Sequence, residues 1–291
     1  MPRRKTLSYK YLLGFAGYLV ILLMGMVAYG FPLYWMIRGS LITQAMWKLP
    51  EVVFFPKPGA LTLDAFRTAF TQGNPPIWRV TLNSGIVAFC AMGLNVVFDC
   101  MAGFALSKMR LPGRRIFIVV LLITLMVPFQ SMVVSLYIIV TRLGAGNTLT
   151  GILLPLSASA FSIILMWRFF NRVPDDVIEA ALVDGAGWGT ILFKVAIPLA
   201  APAVATIAIV HFLAGWDAFF WPLLITDPNS RFDVLQKVIA TATQTSMSGQ
   251  TQTEYPFMMA ISLIATLPIV VLFFFGQRFF IKGLTGGAVK G

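Results

Sequence analysis

The chain has 291 residues, of which 58% are hydrophobic and only 11% are charged, and its formal net charge is +11. Soluble domains average about 45–50% apolar and about 25% charged residues, so this composition excludes an ordinary soluble domain and indicates several membrane crossings. A strongly basic soluble chain could bind nucleic acid, but here the excess of lysine and arginine is better explained as charge beside membrane spans. We therefore expect contact with membrane lipid and no nucleic-acid partner.

Six apolar stretches reach the length of about 20 residues that a helix needs to cross the hydrocarbon core of a bilayer. Within lipid each stretch must be helical, because its backbone groups have no other hydrogen-bond partners there. In chain order the predicted spans are 12–37, 80–106, 116–140, 149–167, 198–225 and 257–275. The first is too long for the core of a signal peptide. The predicted fold is an all-α polytopic membrane protein in which residues 1–291 form a single transmembrane domain.

The short segments between the spans set the expected orientation, because lysine and arginine collect on the cytoplasmic side. The N-tail, 1–11, and the C-tail, 277–291, are both basic. The connection after the second span, SKMRLPGRR, has no acid and carries Lys108, Arg110, Arg114 and Arg115. We expect both termini in the cytoplasm and residues 38–79 in a long external loop with a short helix near 63–70. A contact of this loop with an external partner and a plain connector are equally consistent with the sequence.

The connection after the fourth span, 168–198, is polar and patterned although it lies between two apolar stretches. Pro174 followed by two aspartates is typical of a helix start, because acidic side chains are favourable at the positive end of the helix dipole. Gly185 can adopt the left-handed conformation that ends a helix. A second short helix, 188–195, then leads to Pro198, where we expect the fifth span to begin. From spacing alone, a docking surface and a solvated loop helix are equally consistent with this pattern.

The sequence EAALVDGAGWGTILFKVAIPLAAP in this connection resembles the EAA loop of binding-protein-dependent ABC importer permeases, whose pattern is E-A-A-x-x-D-G-A with an I-x-P-like end. The matching positions are Glu179, Ala180, Ala181, Asp184, Gly185, Ala186, Phe193, Ile197, Pro198 and Pro202. Similar family motifs occur along most of the chain: VTLNSGIVAF, ALSKMRLPGRR, LMVPFQSMVVSLYIIV and GWDAFFWPLL. The ending RFFIKGLTGGAVKG is similar to the tail of the maltose-type second permease subunit, the six-span subunit of a carbohydrate-uptake importer.

The resemblance implies the type I ABC importer permease fold, with a cytoplasmic coupling helix seated in a cleft of a separate ATPase. Glu179 would meet a basic residue of that ATPase, and the small residues around it would allow close approach. The residues implied in this coupling are Glu179, Ala180, Ala181, Asp184, Gly185 and Ala186. The resemblance also implies a heterodimer with a second permease subunit, two ATPase subunits that bind ATP and magnesium, and a periplasmic or lipid-anchored solute-binding protein.

No catalytic or metal site is apparent in the sequence, which has one histidine and two cysteines. Cys90 and Cys100 lie in one predicted helix, separated by a rotation of about 280°, so they do not share a face. The tail sequence GLTGGAVKG lacks the spacing of a phosphate-binding P-loop. We therefore expect a permease subunit rather than an enzyme, with no cofactor in this chain. The resemblance assigns Gly286, Gly287 and Lys290 to a contact with the ATPase pair; without it, a frayed terminus would be expected.

Polar side chains within the spans are candidates for a solute path, because they are costly in lipid and usually face the protein interior or water. Trp216 and Asp217 place an aromatic face beside a hydrogen-bond acceptor, which suits a sugar ring. A structural hydrogen bond between helices is equally consistent with them. Asn83 and Gln130 are weaker candidates for the same path.

Two further polar residues and two prolines are expected to shape the helix bundle. Asp99 is expected to pair with a basic group of a neighbouring span, with a place in the inner vestibule as the alternative. His211 is expected to be a hydrogen-bond donor between helices. Pro128 and Pro268 are expected to kink their spans, as prolines do within helices.

The expected function is uptake of a sugar or oligosaccharide across the bacterial inner membrane, driven by ATP hydrolysis in partner subunits. A glycerol-phosphate permease would also fit the sequence PIWRVTLNS. An acidic oligosaccharide would fit the basic residues of the external loop, Arg38, Lys48, Lys57, Arg67 and Arg79. A stand-alone secondary transporter is disfavoured because no inverted repeat is visible, and a membrane enzyme is disfavoured because no histidines, cysteines or carboxylates cluster.

Overall fold

The computed structural model describes residues 9–71, 75–247 and 254–285, which form fifteen α-helices joined by turns and loops. The helices are α1 (Tyr9–Ser40), α2 (Gln44–Trp47), α3 (Asp64–Thr71), α4 (Ile77–Lys108), α5 (Arg114–Met126), α6 (Phe129–Arg142), α7 (Leu149–Leu153), α8 (Ala160–Phe170), α9 (Asp175–Val183), α10 (Trp188–Ile191), α11 (Ile197–Leu199), α12 (Ala201–Trp216), α13 (Phe220–Ile225), α14 (Leu235–Met247) and α15 (Tyr255–Thr285). Short 3-10 and π-helical turns extend several of them.

Three helices of the described ranges are long and apolar enough to cross a membrane alone: Gly14–Ser40, Ile77–Lys108 and Tyr255–Gly276. Three further candidate spans are pairs of helices bent at a short break. They are Arg114–Met126 with Phe129–Arg142, Leu149–Leu156 with Ala160–Phe170, and Trp188–Leu199 with Ala201–Trp216. Counting each bent pair as one span gives the six spans and the all-α fold that the sequence predicts.

The third span is broken at the proline that the sequence predicts to kink it. Helices α5 and α6 meet at an angle of 104°. Val127 and Pro128 between them both have extended backbone, with ψ of 115° and 138°. Proline cannot donate a backbone hydrogen bond and disfavours a helical residue before it, so the helix stops here. Pro268 differs, because α15 continues through it.

The break between the two helices of the fifth candidate span lies just after Pro198, where the sequence predicts that the span begins. Pro198 lies in α11, which continues α10 through the π-helical turn Leu192–Ala196, so it does not break the chain direction. The turn occurs at Ala200, and the helices on its two sides differ in direction by 89°. Helix α12 therefore begins at Ala201, and Pro202, rather than Pro198, occupies its first turn.

The chain divides into two compact units, Met1–Gln72 with Thr245–Ile264 and Gly73–Gln244 with Ala265–Gly291. The first unit contains α1, whose apolar side chains are exposed along most of its length. At its end the buried Arg38 guanidinium donates two hydrogen bonds to the Val53 carbonyl and lies 4.6 Å from the Trp35 ring centroid. The predicted helix near 63–70 is confirmed as α3, one residue later at each end.

The core of the second unit is formed by α4, α8 and α12. Two glycines allow the helices to approach closely: a Cβ atom at Gly103 of α4 would lie 2.7 Å from Met166 Cβ of α8, and one at Gly215 of α12 would lie 2.7 Å from Ala88 Cα of α4. Buried apolar side chains, among them Phe104, Met166 and Phe170, fill the space between the helices. Small residues at such crossings are typical of membrane helix packing.

Candidate functional site

Helix α9 and the turn after it form a compact motif at the end of the fourth span. Gly185 has φ of +80° and follows the last helical residues in the left-handed conformation. Its N–H donates to the Leu182 carbonyl at 3.0 Å, and the Ala186 N–H donates to the Ala181 carbonyl at 2.9 Å. These two bonds form a Schellman motif, the commonest way for glycine to end a helix. The predicted helix stop at Gly185 is confirmed.

The faces of α9 divide the EAA residues into two groups. Ile178 is buried in the core of the second unit, and Ala181 and Ala186 pack against that core from its edge. Glu179 and Ala180 are exposed. The exposed group can meet another molecule, whereas the inward group holds the helix on the membrane domain.

A buried lysine ties the start of α9 to the end of α4. Lys108 Nζ lies 2.6 Å from Asp175 Oδ1 and donates to the Val173 carbonyl at 2.6 Å. The lysine side chain is only 6% exposed, while that of Asp175 is 77% exposed. Beside it, Ser107 Oγ donates to Asn171 Oδ1 at 2.9 Å. In the sequence Lys108 indicates only orientation, and its place within the ALSKMRLPGRR motif gives no indication of the residue it contacts.

A cleft of about 630 Å³ separates the connection between α4 and α5 from helices α9 and α10. Its two walls are formed by Ser107, Lys108, Met109, Arg110 and Arg114 and by Asp175, Ile178, Glu179, Leu182 and Trp188. Charged side chains of both signs therefore face one concave surface. Of the predicted coupling residues, only Glu179 lines this cleft.

The four predicted solute-path residues do not converge in the structure. Trp216 is buried, donates its indole N–H to the Ala265 carbonyl at 2.9 Å, and lines an apolar cavity of about 880 Å³. Asp217 follows it at the end of α12, where its Oδ1 accepts a hydrogen bond from Gln236 at 3.1 Å. Gln130 is exposed on α6. Only Trp216 of the four lines the apolar cavity, and the solute path stays a prediction.

Asn83 has a structural partner that the sequence does not reveal. Its buried side-chain amide donates to the carbonyls of Arg231 and Asp233, each at 2.9 Å. Next to it, Ser84 Oγ accepts from the Leu235 N–H at 2.8 Å. These bonds hold the segment before α14 against the start of α4.

A buried polar cluster lies where α4, α8 and α12 meet. Asp99 Oδ1 accepts from the Ser159 N–H at 3.1 Å, at the start of α8. His211 Nε2 of α12 shares a hydrogen bond of 2.7 Å with Ser162 Oγ and lies 3.7 Å from Asp99 Oδ2. Asp99 and Ser162 are fully buried and His211 nearly so. His211 is thus the basic residue of another span that faces Asp99, but at 3.7 Å it makes no hydrogen bond with Asp99 Oδ2, which has no hydrogen-bond partner among the described residues.

This cluster lies at the break in the fourth span. Asn95, one turn before Asp99 on α4, donates its amide to the Leu156 carbonyl. Leu156 ends the 3-10 turn before the break and Ser159 begins the helix after it. Two α4 side chains therefore satisfy backbone groups that the 46° bend between the two half-helices frees. We call Asn95, Asp99, Ser162 and His211 the hinge cluster.

The predicted tail contacts cannot be placed in this geometry, because Gly286, Gly287 and Lys290 lie outside the described residues.

Comparisons with known proteins agree with this geometry. Residues 100–286 match the family described as binding-protein-dependent transport system inner membrane component. The arabinooligosaccharides transport system permease protein AraQ of Halalkalibacterium halodurans is 32% identical over 90% of this chain and 91% of its own length. The sn-glycerol-3-phosphate transport system permease protein UgpE of Salmonella typhi is 30% identical over 91% of this chain and 93% of its own.

Solved structures share the fold. A chain of a bacterial ABC transporter involved in the import of the acidic polysaccharide alginate superposes with a TM-score of 0.79, covering 96% of this chain and 100% of that one at 22% identity. A chain from a bacterial alginate ABC transporter in complex with an alginate pentasaccharide-bound periplasmic protein gives 0.60, covering 92% and 94% at 13% identity.

Proposed function

Because the chain belongs to the family of binding-protein-dependent transport system inner membrane components, we propose that it is one transmembrane subunit of an ATP-driven importer. It works with a second permease subunit, two ATPase subunits and a solute-binding protein. The chain itself provides the membrane spans, and the partner ATPase chains bind ATP and magnesium and perform the hydrolysis.

The exposed face of α9 is the observation that carries this proposal. Glu179 is exposed, lines the cleft beside α9, and has no hydrogen-bond or ion-pair partner among the described residues. The helix that presents it is fixed to the membrane domain by Ile178 and by the Lys108–Asp175 ion pair. An unpaired carboxylate on a firmly held helix suits a basic group of another protein, since charge-assisted hydrogen bonds are stronger than neutral ones.

The basic connection after α4 supports a cytoplasmic position for this surface. Arg110 and Arg114 line the same cleft as Glu179, so the basic connection and α9 lie on one side of the membrane domain. Lysine and arginine in short connections favour the cytoplasmic side. We therefore place α9, and with it the ATPase, in the cytoplasm.

Force applied to α9 would reach the spans through packed side chains. Ile178 of α9 and Ile191 of α10 belong to the same buried cluster as Phe104 of α4 and Phe170 of α8. Close-packed interiors transmit displacement because they do not compress readily. ATP-driven movement of the two ATPase subunits would thus tilt α4 and α8 and alternate the access of the solute path.

The proposed solute is a sugar or an oligosaccharide, because the relative at 32% identity is named for arabinooligosaccharides. Relatives named for sn-glycerol-3-phosphate make glycerol phosphate the second candidate. Thermal shift of the cognate binding protein with neutral oligosaccharides, acidic oligosaccharides and glycerol phosphate separates these classes. Stabilisation by glycerol phosphate alone would reject the carbohydrate assignment.

The test of the coupling role uses the assembled importer in vesicles. Glu179→Ala should lower ATP-dependent uptake at least about tenfold, since a hydrogen bond to a charged group contributes about 1.5–3 kcal/mol. Asp176→Ala is the matched control, because Asp176 is an exposed acid on the same helix that does not line the cleft. Equal uptake by Glu179→Ala and Asp176→Ala, with equal amounts of protein in the membrane, would reject the coupling role.

A further inference from the structure

The cleft beside α9 holds more charge than Glu179. Its lining includes three basic residues, Lys108, Arg110 and Arg114, and two acids, Asp175 and Glu179. Lys108 and Asp175 neutralise one another across 2.6 Å. The guanidinium groups of Arg110 and Arg114 and the carboxylate of Glu179 are left without a charged partner in the cleft.

These three remaining groups are not paired with one another, although they line the same cleft. Arg110 is exposed, and its side chain has no hydrogen bond or ion pair with any described residue. Arg114 is partly buried; among the described residues its side chain donates a 3.5 Å hydrogen bond to Asn171 Oδ1 and lies 5.9 Å from the Trp167 ring centroid. A single arginine without an acidic partner is common at a protein surface, but here two arginines that lack such a partner among the described residues converge on a concave surface beside the proposed coupling residue.

We propose that Arg110 and Arg114 bind an acidic side chain of the ATPase, next to the basic group that meets Glu179. This inference rests on the proposed function and specifies the partner surface: a base and an acid side by side. Guanidinium groups bind carboxylates through two parallel hydrogen bonds, which fixes orientation as well as proximity. Two cations and one anion in this cleft are complementary to that arrangement.

A second contact changes how movement reaches the spans. Arg110 follows the last turn of α4, and Arg114 begins α5. The ATPase would therefore hold α4 directly, besides acting on it through α9. Helix α4 packs against α8 at Gly103 and against α12 at Gly215. Movement of the ATPase would therefore move α4, the helix at the centre of the second unit. The contact at Glu179 and the contact at Arg110 and Arg114 would together hold both walls of the cleft against the ATPase.

The test uses the full importer, with the permease pair and ATPase expressed together and purified in detergent. The variant is Arg110→Glu with Arg114→Glu, and the readout is the amount of ATPase retained per permease at low and high salt. Arg115→Glu is the control: it reverses one charge of the same basic connection, half the change of the double variant, at a residue that does not line the cleft. Retention of the second permease subunit shows that the variants have folded.

At low salt the double variant should retain at least about tenfold less ATPase than the wild type, while Arg115→Glu stays within about twofold. High salt should narrow the difference, because exposed charge pairs are screened. The neutral pair Arg110→Gln with Arg114→Gln should lie between the wild type and the double glutamate variant. If the glutamate variant does not retain the second permease subunit, the glutamine variant decides the question by the same comparison with Arg115→Gln.

Three results would overturn the proposal. If the double variant behaves like Arg115→Glu while Glu179→Ala loses the ATPase, the arginine contact is wrong and the proposed function stands. If the double variant and Glu179→Ala both retain the ATPase fully, the proposed function fails as well. If retention in detergent is normal and uptake falls only in vesicles containing phosphatidylglycerol, the arginines bind anionic lipid headgroups instead.

Discussion

The surface of α9 and the hinge cluster contain similar polar residues in opposite circumstances. On α9, Glu179 is exposed and has no partner in the described part of the chain, and the residues beneath it are packed into the domain. In the hinge cluster, Asp99 and His211 are buried and hydrogen-bonded to neighbouring helices. A buried polar group within the membrane must find its partners inside the protein, whereas a polar group at a membrane surface is free to meet another molecule.

The comparison separates the residues that keep the shape of the subunit from those that recognise a partner. Changes in the hinge cluster and at the helix crossings should lower stability with or without a partner. Changes on the exposed face of α9 should leave stability unchanged and lower partner binding. Four predictions test this separation, and each pairs a substitution that should act with one that should act less or not at all.

The largest effect is expected at the crossing of α12 and α4. Gly215→Ala adds a Cβ atom 2.7 Å from the backbone Ala88 Cα, so one helix must shift. Overpacking of this kind costs about 1–3 kcal/mol, and the temperature of thermal unfolding in detergent should fall. Gly85→Ala on α4 adds the same methyl group where nothing lies within 4 Å, and should leave the unfolding temperature equal or slightly higher. Equal behaviour of the two variants would contradict the close crossing.

The hinge cluster should respond to the loss of an acceptor rather than to the loss of charge. Asp99→Ala leaves the Ser159 N–H without its acceptor, which costs about 1–3 kcal/mol for a buried donor. Asp99→Asn keeps an oxygen at that position and should lose distinctly less, as measured by thermal unfolding. If Asp99→Asn is as unstable as Asp99→Ala, the charge facing His211 is the stabilising element and the acceptor role is wrong.

Gly185 should be sensitive to any side chain because of its conformation rather than its surroundings. A left-handed residue with a Cβ atom costs about 1–2 kcal/mol, and a β-branched one is worse, so Gly185→Val should disrupt the turn and lower uptake several-fold. Gly189 also has open space around it but does not have positive φ, so Gly189→Val should keep more than half of the uptake. Normal uptake in Gly185→Val would show that the turn does not position the coupling surface.

The smallest effect is expected from the tether between α4 and α9. Lys108→Met removes the ion pair with Asp175 and the hydrogen bond to the Val173 carbonyl. An ion pair with an exposed partner contributes about 0–1 kcal/mol, so global stability should change little. The start of α9 should, however, exchange its amide hydrogens faster. Asp175→Asn keeps the lysine bond to Val173 and should alter exchange less; equal exchange in the two variants would assign the tether to the ion pair alone.

Much of the fold could be predicted from the sequence because its signals are local. Six stretches of spanning length predict six spans, and Pro174 with Gly185 predicts the start and the end of α9 within one residue. The EAA pattern predicts the family from one loop. Local signals also have limits, since Pro198 looks like the start of a span and lies instead in the helix before the turn.

The partners of polar residues could not be predicted, because they depend on which helices lie side by side. Nothing near Asp99 in the sequence indicates that it meets Ser159 and His211. Likewise Asn83 is a plausible path residue in sequence, yet its amide holds the segment before α14. The same reason applies to Lys108, whose charge is visible in the sequence and whose contact with α9 is not.

Hydrogen–deuterium exchange of the purified permease pair, with and without the ATPase, tests the central claim most directly. If the exposed face of α9 is the docking surface, amides of Asp175–Val183 and of the turn through Gly185 should exchange more slowly when the ATPase is bound. Amides of α4 and α8 around the hinge cluster should be slow in both samples. Unchanged exchange in α9 on ATPase binding, with protection appearing elsewhere, would contradict the claim that the exposed face of α9 binds the ATPase.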